Sequence, residues 1–117
     1  NQILPVPNTE SYYGVFYHPS SGRVYISGSN GNLIYYTGAP WALLNTGTTA
    51  TMYSMWGMSG SPQMWIGGTS GTVLKFDGTN FTAQKTGTTA TIRTLWGNNL
   101  TDVWAAGDSG TILRWKM

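Results

Sequence analysis

Residues Thr46-Gly47-Thr48-Thr49-Ala50-Thr51 return unchanged as Thr86-Gly87-Thr88-Thr89-Ala90-Thr91, 40 positions later. Working outward, Trp56-Gly57 returns as Trp96-Gly97 at the same spacing. Trp65 returns as Trp104 at 39, one residue having been lost in the loop after Gly97. Gly68-Thr69-Ser70-Gly71-Thr72 matches Gly107-Asp108-Ser109-Gly110-Thr111. A more diverged copy lies upstream in the same register. There Phe16 takes the Trp56 position, Tyr25 the Trp65 position, Gly28-Ser29-Asn30-Gly31-Asn32 the turn, and Trp41 the Phe81 position. A fixed period near 40 in a chain of 117 residues outweighs any other signal, because a repeat decides which elements can pack on which.

Each copy reads as four short strands. The first is Tyr12–Tyr17, Met52–Trp56 or Ile92–Trp96, and the second Arg23–Ser27, Met64–Gly67 or Val103–Ala106. The dipeptides Asn30-Gly31, Ser70-Gly71 and Ser109-Gly110 then reverse the chain; they suit the positive φ that two-residue hairpin turns require. The third strand is Asn32–Tyr36, Thr72–Phe76 or Thr111–Trp115. Thr37-Gly38-Ala39-Pro40 or Asp77-Gly78-Thr79-Asn80 leads to the fourth, Trp41–Asn45 or Phe81–Lys85. Four antiparallel strands per ~40–45 residues is the pattern of a propeller blade, so the expected fold is an all-β propeller with three blades in this chain.

The third copy stops at Arg114-Trp115-Lys116-Met117, without a fourth strand. A shift of 80 places residues 1–7 on Phe81–Gly87, so the N-terminus supplies the missing piece. The chain then divides into a closing outer strand at 1–7, blade repeats at 8–47 and 48–87, and a third at 88–117 lacking its outer strand. Pro5 and Pro7 suit an outermost strand, where missing amide donors are tolerated. Three blades are too few for a ring, since propellers typically have ~4–8. The simplest closure is a homodimer with six blades; a trimer with nine is one alternative, and a longer propeller whose other blades lie outside this sequence is another. Ile3, Leu4 and Val6 would then meet Ile112, Leu113 and Trp115 across the joint, protecting strand edges that would otherwise invite aggregation.

Composition narrows the function classes. Charged residues make up 9% of the chain and aromatics 14%, the reverse of a disordered segment. The six basic residues, Arg23, Lys75, Lys85, Arg93, Arg114 and Lys116, are scattered, with no basic stripe for nucleic acid. Cysteine is absent, which removes disulfides and thiolate metal sites. No apolar run approaches the ~20 residues of a membrane-spanning helix. The start at Asn1 without Met fits a processed, secreted or surface-associated chain.

Leu95-Trp96-Gly97 followed by Asp102-Val103-Trp104-Ala105-Ala106-Gly107-Asp108-Ser109-Gly110-Thr111-Ile112-Leu113-Arg114-Trp115 resembles blades of bacterial secreted and surface β-propeller proteins. Those blades read W-G-x-s-x-x-D-V-W-A-v-G-d-x-G-t-I-l. The second copy, Met55–Asp77, matches well, and the first through its Gly turns and aromatics. The resemblance covers nearly the whole chain and implies fold rather than activity. Asp108 and Gly110 echo part of the Asp-box of sialidase-like propellers, too little to carry that chemistry over. The architecture is similar to small oligomeric propeller lectins.

The four carboxylates are Glu10, Asp77, Asp102 and Asp108. A glycosidase needs two facing one sugar. The repeat puts Asp77 and Asp102 at one face, as turn formers, and Glu10 and Asp108 at the other. One histidine, His18, makes neither a triad nor a metal site. The chain is therefore expected to be no enzyme, with no cofactor and no metal. The repeat-fixed rings of Trp56, Trp65, Trp96, Trp104 and Trp115 are expected to pack between blades. Trp41, at the start of an outer strand, is the candidate for stacking on a sugar. Arg93 stands where the other copies have Tyr13 and Tyr53, a candidate polar site. The hairpin tips and inter-blade connections should share a face carrying Asn30, Ser70, Asp108, Ser109, Thr48 and Thr88, short hydroxyl and amide groups suited to a neutral polyol.

These features point first to a non-enzymatic, lectin-like module binding glycans multivalently, with avidity offsetting weak single sites. A structural surface, filament or virion appendage protein is the second reading, and an engineered or evolved fragment selected for folding the third. Partners are then other copies of the chain and glycans, with no nucleic acid and no membrane insertion.

Overall fold

A computed structural model describes residues 7–38 and 41–117. The expected closing strand, with Ile3, Leu4 and Val6, lies outside the described residues apart from Pro7. Among the described residues, eleven strands form three antiparallel sheets, each a meander in chain order. The first contains β1 (Tyr12–His18), β2 (Arg23–Gly28), β3 (Asn32–Tyr36) and β4 (Ala42–Asn45). The second contains β5 (Met52–Gly57), β6 (Met64–Gly68), β7 (Val73–Phe76) and β8 (Phe81–Ala83). The third contains β9 (Ile92–Asn99), β10 (Asp102–Gly107) and β11 (Ile112–Lys116), with no fourth strand among the described residues.

The turn chemistry follows the sequence. Asn30, Ser70 and Ser109 have φ of 56°, 59° and 58°, and the following Gly31, Gly71 and Gly110 have 70°, 64° and 70°. Both central residues are left-handed, the conformation that matches the twist of the flanking strands. Glycine adopts it without steric cost, and Asn or Ser more easily than a branched residue.

Alternation along the strands decides what each sheet buries. In the second sheet both faces are covered, and every residue of β6 is buried. Ile66, Leu74, Met64 and Phe76 pack against Tyr25 and Leu33 of the first sheet. Trp56, Trp65 and Val73 pack against Ile92, Leu95, Val103 and Ala105 of the third. The outer sheets are less completely covered: β1 alternates half-buried with exposed residues and β9 buries only Ile92, Leu95 and Gly97, although β3 buries both Leu33 and Ile34, which point to opposite faces. Sheets touch chiefly along β1, β5 and β9, so the first strands of the three sheets lie side by side.

Within this chain Trp56 and Trp65 pack between sheets, while Trp96 is 60% exposed and Trp104 39%. They lie on the outer face of the last sheet, which no other sheet covers among the described residues. One expectation changes. Asp102 is not a turn former. It opens β10, and its carboxylate accepts from Arg114 Nε at 2.9 Å and Nη2 at 3.2 Å and from Asn98 Nδ2 at 3.0 Å.

Candidate functional site

Each sheet carries a β-bulge near the start of its first strand. Pairing skips a residue between Tyr12 and Gly14 and between Met52 and Ser54, and in the third sheet between Ile92 and Thr94. The skipped residues are Tyr13, Tyr53 and Arg93, one per blade. A bulge re-aims the extra side chain out of the ladder, and here the three meet. The rings of Tyr13 and Tyr53 lie 5.1 Å apart. The Arg93 guanidinium sits 4.9 Å from the Tyr53 centroid, within cation–π range. Arg93 also forms a two-pronged pair with Asp108, Nε to Oδ1 at 3.0 Å and Nη2 to Oδ2 at 3.1 Å. The hydrogen bond from Arg93 holds the Asp108 carboxyl below its ordinary range, and the same bond raises Arg93. The result is a surface column Tyr13–Tyr53–Arg93–Asp108, half-buried at Tyr53 and exposed at the other three, aromatic at one end and ionic at the other.

The hairpin tips and inter-blade connections do share this end of the sheets. The Ser29 N–H donates to the Ser11 carbonyl, Thr69 to Thr51 and Asp108 to Thr91, each at 2.9 Å, and the Gly31 N–H donates to the Ala50 carbonyl at 2.8 Å. Asn30 donates to Glu10 at 2.9 Å. Bonds from Ser29 and then Asn30 hold the Glu10 carboxyl low. Ser70 and Ser109 are exposed at their tips. Thr48 and Thr88 have turn roles: their hydroxyls accept from the Ala50 and Ala90 N–H groups at 3.1 Å. Thr48 also lines an open cleft of about 540 Å³ with Thr46, Thr72 and Gln84, and Thr88 an even shallower one of about 590 Å³ with Gly87 and Thr89.

Trp41 is not part of this group. It is half-buried and rings against Tyr36 at 4.9 Å, at the end of β3 remote from Asn30. The four carboxylates are each engaged separately. Asp77 accepts the N–H groups of Asn80 at 2.7 Å and Thr79 at 2.8 Å, which lowers its pKa. Glu10 belongs to the first tip, Asp102 to Arg114, and Asp108 to Arg93. His18 is fully buried. Its Nδ1 accepts from Ser20 N–H at 3.2 Å, so Nε2 is the donor toward the Gln63 carbonyl at 3.1 Å. It ties the first blade to the second.

The uncovered end faces form the other distinctive surface. On the third sheet, Trp96 pairs with Trp104 across β9 and β10, and Arg114 lies over the Trp104 ring at 4.7 Å. Trp96, Trp104, Ala106 and Ile112 line an almost wholly apolar hollow of about 220 Å³. Ile112 is exposed there, whereas Leu113 and Trp115 point inward, Trp115 lying 5.2 Å from Trp65. On the first sheet, Val15, Tyr17 and Leu43 are exposed, while Ile34 in the middle of the same row is fully buried. The repeat marks the first of these faces: in Trp56/Trp65 and Trp96/Trp104 the same residues recur, and only the first pair has a following sheet among the described residues.

No family model matches the chain, and no curated protein sequence matches it. Among solved structures, the chain superposes on YCF48 bound to D1 peptide, with a TM-score of 0.76 and 16% identity. The match covers 97% of this chain and 39% of that one. YCF48 is a β-propeller protein, and the likeness shows a propeller-like, all-β fold. The chain spans about two fifths of the length of that neighbour.

Proposed function

We propose that the chain is a non-enzymatic, lectin-like binding module, presented on a β-propeller that copies of the chain complete together. The supporting observation is the surface bulge column Tyr13–Tyr53–Arg93–Asp108. Its aromatic faces suit the apolar face of a sugar ring. Its Arg–Asp pair offers donors and acceptors, already oriented, to neighbouring hydroxyls. Asn30, Ser70 and Ser109 extend the polar surface at the adjoining tips. A glycan array followed by calorimetry tests it: binding in the millimolar range or tighter, lost in Tyr53→Ala, supports it, and an array silent at millimolar sugar overturns it.

A second reading, an assembly block for a surface structure, is favoured by the apolar end faces. A head-to-tail contact that closes gives a ring, and one that fails to close gives a filament. Electron microscopy of the purified chain separates the two.

A further inference from the structure

The repeat makes the end faces comparable, position by position, with the two joints inside the chain. Phe16, Tyr25 and Leu33 of the first blade face the second, and Trp56, Trp65 and Val73 of the second face the third. The same positions in the third blade are Trp96, Trp104 and Ile112, the exposed set. On the receiving side, Met55, Ile66 and Leu74 serve in the second blade and Leu95, Ala105 and Leu113 in the third. Their counterparts in the first blade are Val15, which is exposed, Ile26, which is half-buried, and Ile34, which is already fully buried.

A second comparison concerns the tips. A Cβ on Gly31 would collide with the Thr48 carbonyl oxygen, and one on Gly71 with that of Thr88. In both joints the next blade's connection sits on the tip glycine. At Gly110 nothing among the described residues lies within 4 Å. The counterpart of Thr48 and Thr88 is Asn8, and its geometry is already that of the repeat. The Glu10 N–H donates to Asn8 Oδ1 at 3.1 Å, as Ala50 does to Thr48 and Ala90 to Thr88.

We infer that the third blade's open face receives the first blade of a second copy, head to tail, and that two copies close a six-bladed ring. Six blades fall within the ~4–8 of closed propellers, and nine fall outside. The partner's Val15 and Tyr17 cover Trp96, Trp104 and Ile112, and the connection around the partner's Asn8 settles on Gly110. Tyr17 stands where the other blades have Gly57 and Gly97, so this joint pairs two aromatic rings instead of seating a ring over bare backbone. The same arrangement places the partner's Tyr13 beside Arg93, as Tyr13 lies beside Tyr53. The bulge column then runs unbroken around the ring, and the site at Arg93 is complete only with the partner present. This rests on the assembly in the proposed function, not on the nature of its ligand.

Gly110→Ala against Gly87→Ala is the deciding comparison, read by sedimentation mass without ligand. Both glycines have φ of 70° and no described residue around them, so within one chain the two substitutions should cost alike. The wild type and Gly87→Ala should sediment as two chains, and Gly110→Ala as one folded chain. Ile112→Lys, at a residue 70% exposed, gives the same reading if Gly110→Ala fails to fold. For the column, a short bis-maleimide should join chains in Tyr13→Cys/Arg93→Cys. In Tyr13→Cys/Tyr53→Cys it should act within one chain; the wild type has no cysteine to interfere. A wild type that is a single chain, a filament, or two chains retained in both Gly110→Ala and Ile112→Lys overturns the inference, as does a cysteine pair that joins only within a chain.

Discussion

The indole of Trp56 lies so close over Gly97 that a Cβ built on Gly97 would stand 2.5 Å from its Cη2. The second and third blades are therefore in contact through a ring laid on backbone. This explains why Trp-Gly recurs as a dipeptide: the Trp serves the joint ahead of its blade and the Gly the joint behind it. Gly57 does the same for His18, whose Nε2 would be 3.2 Å from an added Cβ. Gly97→Ala should destabilise the fold by about 1–3 kcal/mol, the ordinary cost of overpacking, read as a lower urea midpoint at unchanged slope.

His18→Ala should cost about 2–4 kcal/mol by the same measurement. It removes a fully buried ring packed edge-on against Phe16 and Tyr25 and leaves the Gln63 carbonyl without its partner. Glycan binding per folded molecule should not change, because His18 lies inside the joint and not on the column.

Stability should also fall in acid through Asp102. Hydrogen bonds from Arg114 and then Asn98 hold its pKa at about 2, down from an ordinary 3.8. A carboxyl whose folded pKa is depressed contributes stability above its unfolded pKa and loses it as pH falls through the folded one. Wild type should thus exceed Asp102→Asn in stability above pH 4, and the gap should close between about pH 4 and 2. Denaturant titrations of both proteins across that window test this; a gap that persists at pH 2 would contradict it.

The fold was legible because a repeat multiplies weak local signals. Asn30-Gly31, Ser70-Gly71 and Ser109-Gly110 each suggest a turn, and the common register converts three suggestions into one architecture. Strand ends were less so. Phe81–Lys85 shortens to Phe81–Ala83 because Gln84, although its N–H still bonds the Val73 carbonyl at 2.8 Å, leaves the extended ladder. The site was half visible. Arg93 stood out as the odd member of the Tyr13/Tyr53 position, but the bulge that turns these three side chains toward one another is a pairing property and leaves no compositional trace. The Asp102–Arg114 bond was hidden for a similar reason: it joins residues 12 apart that only the β10–β11 register brings together.

On the column, Tyr53→Ala should weaken glycan binding about tenfold or more, a difference of about 1.4 kcal/mol. Tyr53 carries both the Tyr13 ring and the Arg93 guanidinium, so its loss removes one stacking face and loosens the other two groups. Arg93→Lys should fail to restore what Arg93→Ala loses, since a lysine cannot form the two-pronged pair with Asp108. Calorimetry on each variant reads both effects, and equal affinity across all three would rule out the column as the site.

Trp56 and Trp96 occupy one repeat position and should respond to alanine in opposite ways. Trp56 is buried within the chain, so Trp56→Ala should cost about 3–5 kcal/mol of folding stability. Trp96 is largely exposed within the chain, so Trp96→Ala should leave a single folded chain nearly as stable as before. Its cost falls on the joint with the second copy, where a central aromatic contributes about 2 kcal/mol or more, raising the dissociation constant about 30-fold. Dilution should redden the wild-type tryptophan emission as Trp96 and Trp104 become exposed to water. In Trp96→Ala that shift should occur at correspondingly higher concentration. If instead Trp96→Ala unfolds the chain as readily as Trp56→Ala does, Trp96 belongs to the core of one chain and the head-to-tail joint is wrong.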